Sequence, residues 1–194
     1  VLKMMRNQYV QHRLLDTPRW RALAWVMLDP EEETVAGAFT RKLAKAVRRS
    51  KVHLKFLALI SLAALDECVD ARKEARQAVT RAVQNLRRGY EDYMAGQEEE
   101  PSEEAKRKVT TSMMPEYLLP YLLHLLAHFP DFPTSLNDAG RWRPLHRCLA
   151  FLLEPLMATL GAEADNLSFL LLMTDTILTG YKDAAAEGKE GGEY

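Results

Sequence analysis

The fold of this chain is decided by residues 114–128, which read MPEYLLPYLLHLLAH. The run is apolar and long enough for a helix, and Pro120 is predicted to lie in the interior of that helix. An interior proline removes one backbone hydrogen bond and bends the helix. A bent apolar helix is typical of curved stacks of helix pairs, and it is seldom needed where two straight helices pack side by side.

Outward from this stretch, the chain reads as helical throughout. Its 194 residues are 47% apolar, which is enough to bury a core, and no alternating run bounded by turns predicts a strand. The acidic stretch at about 96–108 is predicted to be a loop. We expect a helix over about 1–15, helices beginning at Thr17 and Asp29, helices over 52–65 and 69–94, a short helix before Pro115, the bent helix, and helices over 144–160 and 164–181.

Two helix pairs repeat at an offset of about 40 residues. The second helices of the two pairs align through their apolar faces: Val35 with Ala75, Phe39 with Val79, and Leu43 with Val83. A period near 40 falls in the HEAT/armadillo range, where pairs stack because one pair cannot bury its apolar face alone. The sequence therefore predicts an all-α, HEAT-repeat α-solenoid of antiparallel helix pairs over 1–183, part of a longer solenoid, with a flexible tail over 184–194. An irregular all-helical domain is the alternative.

Charge is distributed unevenly along a chain whose net charge is only -1. Residues 41–88 hold thirteen lysines and arginines against four acidic residues. Helical spacing places many of these cations on one face, which predicts an interaction surface for nucleic acid or an acidic peptide. An ordinary solvated face is the alternative. The predicted partner-binding residues, called the basic ridge below, are Arg41, Lys42, Lys45, Arg48, Arg49, Lys55, Arg72, Lys73 and Arg76.

The sequence offers little that resembles catalytic chemistry. It has no glycine-rich phosphate loop and no nucleophile elbow. His124 and His128 have the i, i+4 spacing of a metal-binding pair, but Leu125 stands where an HExxH motif needs glutamate, and no third ligand is evident. We therefore predict a histidine pair in the core or in a groove, and no catalytic residue, cofactor or metal. A metal-dependent enzyme using the two histidines remains a competing hypothesis.

Four further residues are given structural interpretations. Cys68 and Cys148 lie in apolar helical contexts and are predicted to be buried free thiols, as in a reducing compartment. Glu116 and Glu154 are each isolated in the sequence and receive no catalytic role. The longest apolar runs are shorter than the roughly 20 residues that a bilayer-spanning helix needs, so no membrane contact is predicted.

The central segment resembles a known family. Pro115-Glu116-Tyr117, Pro120-Tyr121, His124–His128 and Pro130-Asp131 are similar to a hallmark segment of the precocious-dissociation-of-sisters family. Weaker matches lie in the same order over about 18–160. The sequence departs from the family at Phe129, where the family tends to have an acid, and at Ala150, which replaces an aromatic. Pro155 is expected to interrupt a helix that the family leaves intact. The loop at 96–108 is extended, and there is little resemblance beyond Gly161.

The resemblance implies a non-enzymatic HEAT-repeat scaffold that regulates the cohesin complex in sister chromatid cohesion. It implies the kleisin subunit of cohesin and the wings-apart-like release factor as partners, and a chromatin-associated place in the nucleus. No small-molecule substrate is implied. The alternative function is a nucleic-acid-binding helical module, in which the basic ridge at 41–55 and 72–76 contacts DNA.

Overall fold

The computed structural model describes residues 17–28, 33–48, 52–97, 101–135, 137–158 and 166–180. These ranges contain helices and no strand, so the described part of the chain is all-α, as predicted. Within the described ranges, two short 3₁₀ helices, Ser61–Leu65 and Pro115–Tyr117, accompany the α-helices. The α-helices are α1 Thr17–Trp25, α2 Glu33–Arg48, α3 Lys55–Ile60, α4 Val69–Ala95, α5 Glu103–Met113, α6 Leu118–Ala127, α7 Ala139–Ala158 and α8 Asn166–Gly180.

The core is centred on α3 and the 3₁₀ helix that follows it. Every side chain from Phe56 to Ala64 is buried. This segment packs against α2, α4, α6 and α7. A helix that is apolar on all sides can be accommodated only where neighbours surround it, and the four packed helices meet that requirement. The sequence predicted one helix over 52–65, whereas the structure tightens into a 3₁₀ helix at Ser61, whose hydroxyl donates to the Ala58 carbonyl at 2.6 Å.

The helices are stacked in two layers. One layer contains α2, α4 and α7, and the other contains α3, α6 and α8, with each helix packed on the next member of its own layer. Leu43 and Val83, which align at the 40-residue offset, are both fully buried on α2 and α4. The sequence repeat therefore corresponds to consecutive helix pairs of a HEAT-repeat α-solenoid.

The predicted acidic loop at 96–108 is partly wrong. Its second half forms the beginning of α5, because the Ser102 hydroxyl accepts a hydrogen bond from the Ala105 amide at 3.3 Å and caps the helix. Glu103 and Glu104 then occupy the first turn, where the helix dipole favours negative charge. Acidic residues that suggested a solvated linker are instead part of a helix start.

The interior proline that suggested a bent helix is also placed differently. Residues 115–117 form a 3₁₀ helix, α6 begins at Leu118, and Pro120 is the third residue of α6. The first amides of a helix have no intrahelical acceptor, so proline there costs no hydrogen bond. Pro120 therefore lies at the beginning of α6 rather than in the interior of a helix.

Prolines do lie inside α7, which begins at Ala139 rather than near 144 and contains Pro144 and Pro155. The helix continues past Pro155 to Ala158, so the predicted interruption is not observed.

Three predictions lie outside the described residues. They are the helix over 1–15, the beginning of the helix expected at Asp29, and the tail over 184–194. Among the described helices, none is both long and apolar enough to cross a bilayer.

Candidate interaction surface

The most distinctive surface of the described residues is an open cleft between α4 and α7. It has a volume of about 380 Å³. A second hollow of about 560 Å³ lies along the N-terminal half of α7, and the two share Arg147 and Ala150. We call the two together the α4–α7 groove. Its lining consists of Ala64, Val69, Arg72, Lys73, Arg76, Ala139, Gly140, Trp142, Arg143, His146, Arg147, Ala150, Phe151 and Glu154.

Two arginines of the groove are held in place by backbone carbonyls near the end of the central 3₁₀ helix. Arg147 of α7 donates from Nη2 to the Ala64 carbonyl at 2.5 Å. Arg72 of α4 donates from Nη1 to the carbonyls of Asp66 and Glu67. Each guanidinium carries five N–H donors, so these bonds fix the side chains and leave further donors for a ligand.

A third arginine joins the two walls. Arg76 of α4 forms an ion pair with Glu154 of α7, and its guanidinium carbon lies 5.0 Å from the centre of the Phe151 ring. The side chain of Arg76 is 39% exposed and that of Glu154 is 57% exposed. A pair this open to solvent contributes little to stability, so its charges remain accessible to a competing partner.

An aromatic group lies at the other end of the groove. The Trp142 ring stacks with His146 at a centroid distance of 6.2 Å, and Phe132 meets it edge-on at 5.7 Å. The Trp142 indole N–H donates to the Ser135 carbonyl at 3.1 Å. Trp142 is therefore held by contacts on its ring and at its nitrogen.

The structure divides the basic ridge between two surfaces. Arg72, Lys73 and Arg76 line the α4–α7 groove, whereas Arg41, Lys42 and Lys45 are exposed on α2 and do not line it. Lys55 is half-buried with its Nζ 5.5 Å from the Phe56 ring centre, and burial lowers its pKa. The Arg48 side chain and Arg49 lie outside what the structure describes.

Sequence reasoning missed the α7 contribution to this surface. Trp142, Arg143, His146 and Arg147 were not part of the predicted ridge. The signal was present as arginines at the i, i+4 positions 143 and 147. It was overlooked because the helix was expected to begin only at about 144, which placed Trp142 and Arg143 in a loop.

The carboxylates that looked isolated in the sequence are both paired. Besides the Arg76–Glu154 pair, Glu116 lies buried against Arg87 of α4, with Arg87 Nη2 2.7 Å from Glu116 Oε1. Asn166 of α8 donates to the same oxygen at 3.2 Å. Arg87 and Asn166 also donate to the Leu156 carbonyl, at 2.7 and 3.1 Å. That carbonyl is in the last turn of α7, where helical carbonyls lack intrahelical donors.

His124 of α6 and His128, which directly follows α6, form part of an aromatic cluster. Their ring centroids are 4.4 Å apart, and His128 Nδ1 donates to the His124 carbonyl at 2.8 Å. Trp20 of α1 lies 6.2 Å from the His124 ring and meets Tyr121 edge-on. Within the ranges that the structure describes, no group of three or more histidine, cysteine or acidic side chains is arranged to hold a metal ion.

The two cysteines differ in environment. Cys148 of α7 is fully buried, as predicted, and burial raises the pKa of its thiol to about 12. Cys68 is exposed at the N-terminal boundary of α4, so the prediction of burial is wrong there. Its helix is amphipathic, and position 68 lies before the buried stripe begins at Ala75.

Comparison with known proteins identifies similar sequences along nearly the whole chain. A family model described as "Sister chromatid cohesion protein PDS5 protein" matches residues 1–191, including the part beyond Gly161 where little resemblance was expected. The chain is 32% identical over 163 residues to sister chromatid cohesion protein PDS5 homolog A of Homo sapiens, covering 83% of the chain and 11% of that protein. It is 31% identical over 166 residues to PDS5 homolog B of Gallus gallus, covering 86% and 11%. The chain thus spans about a tenth of the length of these relatives.

Proposed function

The chain belongs to the PDS5 family of sister chromatid cohesion proteins, and from that premise we propose that it acts as a non-enzymatic HEAT-repeat scaffold that regulates the cohesin complex. Its proposed partners are the kleisin subunit of cohesin and the wings-apart-like release factor. Its proposed location is chromatin in the nucleus. The observation that carries the proposal is the family match over residues 1–191, on a stack of helix pairs of the kind that presents long binding surfaces.

The charged surface of the described residues supports protein binding. The cations of the α4–α7 groove are interleaved with apolar side chains and lie in a recess between two helices. Protein interfaces combine an apolar centre with polar and charged surroundings, and arginine is enriched in them. The groove has this composition, and its charges are positioned by α4 and α7 rather than by a loop.

The proposal is tested by titrating the 194-residue chain with the cohesin kleisin subunit, with the release factor and with duplex DNA, each at low and high salt. We expect binding to the kleisin that persists at high salt, since an interface with an apolar centre is only partly screened. Absence of binding to both cohesin-associated proteins, under conditions where the chain is folded, would contradict the proposal for this segment.

A second candidate function is DNA binding by the α2 part of the basic ridge. The exposure of Arg41, Lys42 and Lys45 on one helix favours it. Phosphate contacts make affinity depend steeply on salt, with a slope of about -0.9 for each contact in a plot of log K against log salt. The variant Arg41→Glu/Lys45→Glu should then lose DNA binding and flatten the slope, whereas unchanged DNA affinity would remove this candidate.

A further inference from the structure

We propose that the α4–α7 groove binds an acidic segment of another polypeptide, in which carboxylates flank an apolar side chain. In the unliganded chain, Glu154 occupies the position at Arg76 that a carboxylate of the segment takes on binding. The inference depends on the chemistry of the groove, and it applies whichever cohesin-associated protein carries the segment.

The charge of the groove specifies an anionic ligand. Among the described residues, five cationic side chains line it, and the one carboxylate in this described lining is already paired with Arg76. Asp70, beside the rim, lies 4.0 Å from Lys73 and is almost fully exposed. Because the whole chain has a net charge of only -1, this excess of positive charge is local to the groove. The five cations are Arg72, Lys73, Arg76, Arg143 and Arg147.

The arginines are arranged before any ligand arrives. Arg72 and Arg147 are fixed by carbonyls of residues 64–67, and Arg76 is fixed by Glu154 and by the Phe151 ring. A guanidinium that is already ordered loses less side-chain entropy when it binds a carboxylate. The Arg76–Glu154 pair also shows that a carboxylate fits against Arg76 beside Phe151.

The groove also offers apolar surface to a ligand. Val69 at the rim is 51% exposed and Ala150 is exposed on the α7 wall, whereas Ala64 and Phe151 are buried beneath the cations. This apolar surface distinguishes a peptide from a nucleic acid as the ligand. Bases need a free aromatic face for stacking, but Arg76 lies over Phe151, and Trp142 is stacked with His146. The cleft between α4 and α7, of about 380 Å³, is large enough to admit side chains of a peptide.

The test uses the 194-residue chain and a short fluorescent peptide in which pairs of aspartate or glutamate alternate with single leucines. The control peptide carries asparagine and glutamine in place of the acids. Arg76→Glu should weaken binding of the acidic peptide about tenfold or more, because it replaces an attractive contact by a repulsive one. Glu154→Gln should tighten binding about two- to fivefold, because it removes the internal competitor for Arg76.

A matched charge reversal is available on the same helix. Arg81 is exposed on α4 and does not line the groove, so Arg81→Glu changes the net charge as Arg76→Glu does without altering the site. We expect Arg81→Glu to change the affinity less than about twofold at moderate salt. Helical circular dichroism and the unfolding midpoint identify any variant that fails to fold.

Several outcomes would overturn the proposal. The proposal is wrong if the acidic peptide does not bind, or if the neutral peptide binds equally well. It is also wrong if Arg76→Glu and Arg81→Glu weaken binding of the acidic peptide equally, or if Glu154→Gln leaves the affinity for that peptide unchanged or lowers it. Tighter binding of duplex DNA than of the peptide, with loss on Arg76→Glu, would assign the groove to nucleic acid instead. The Glu154→Gln prediction is a gain of affinity, so poor folding cannot imitate it.

Discussion

Arg87 of α4 and Glu116, which precedes α6 by two residues, form an ion pair that is closed to solvent, with Nη2 and Oε1 2.7 Å apart. The Arg87 side chain is 14% exposed and that of Glu116 is 3% exposed. Asn166 and the Leu156 carbonyl complete the group. Four helical segments, which contribute residues 87, 116, 156 and 166, therefore meet at one buried set of charges and hydrogen bonds.

Removing one member of this pair should be strongly destabilising. Arg87→Met leaves the Glu116 carboxylate buried without its cation, which costs about 3–5 kcal/mol of unfolding free energy. Urea denaturation of the variant measures this loss. The double variant Arg87→Met/Glu116→Leu should recover most of it, because no uncompensated charge remains. A loss below about 1 kcal/mol in the single variant would contradict the structural role of the pair.

The burial of α3 is tested by one substitution made at two places. Leu57→Asp puts a carboxylate at a site that is 3% exposed, and we expect the chain to unfold. Leu171→Asp makes the same change on α8 at a site that is 62% exposed, and it should shift stability by less than about 0.5 kcal/mol. Circular dichroism and size-exclusion chromatography distinguish the two, and a folded Leu57→Asp chain would refute the central position of α3.

Pro120→Ala should have a small effect, because Pro120 lies in the first turn of α6. The substitution restores an amide that the helix does not need and makes the unfolded chain more flexible, so stability should change by less than about 1 kcal/mol. Helical ellipticity and the urea midpoint measure the change. A loss above about 2 kcal/mol, or altered helix content, would favour the original expectation of a kink on which the stacking depends.

The two thiols should differ sharply in reactivity. Cys68 is exposed and should react with a disulfide reagent within minutes at neutral pH, whereas Cys148 should react only when the chain unfolds. Mass spectrometry of the modified peptides before and after adding denaturant assigns each reaction. Fast modification of Cys148 in the folded chain would show that α7 opens readily.

Burial of Cys148 also predicts a dependence of stability on alkaline pH. Its pKa is raised from 9.0 to about 12, so between these values the unfolded chain has lost the thiol proton and the folded chain retains it. The contribution of the Cys148 thiol to the free energy of unfolding is therefore fully present below pH 9. It falls by about 1.4 kcal/mol per pH unit as the pH rises toward 12. Comparing the native chain with Cys148→Ala isolates this slope from other titrating groups, and parallel curves would contradict the prediction.

Local pattern was enough to predict some elements and not others. The α4 helix was predicted within one residue because its small apolar residues recur at the helical period and Gly96 follows its end. The segment at 52–65 was harder to predict. It is apolar on every side, so its sequence has no periodic pattern that would mark where α-helix becomes 3₁₀ helix. The beginning of α5 was missed because clustered glutamates suit both a solvated loop and the first turn of a helix.

The candidate site depended on contacts that spacing cannot supply. The cations of α4 were predicted from helical periodicity, and Arg72, Lys73 and Arg76 do line the groove. Their neighbours on α7 come from more than sixty positions away, and Glu154 is separated from Arg76 by 78 residues. Only the packing of α4 on α7 brings these side chains together. The sequence therefore indicated only the α4 side of the groove. It also grouped Arg41, Lys42 and Lys45 with the α4 cations, although the structure places these three residues outside the groove.

The central position of α3 has a consequence for how the chain is made. Its packing partners include α6 and α7, which begin at Leu118 and Ala139 and so are synthesised well after residues 55–60. At roughly 5–20 residues per second, a ribosome needs several seconds to deliver them. During that interval the apolar side chains of residues 56–64 emerge from the ribosome without the helices that cover them in the folded chain. Vectorial synthesis therefore leaves this segment exposed to aggregation or chaperone binding until α6 and α7 follow.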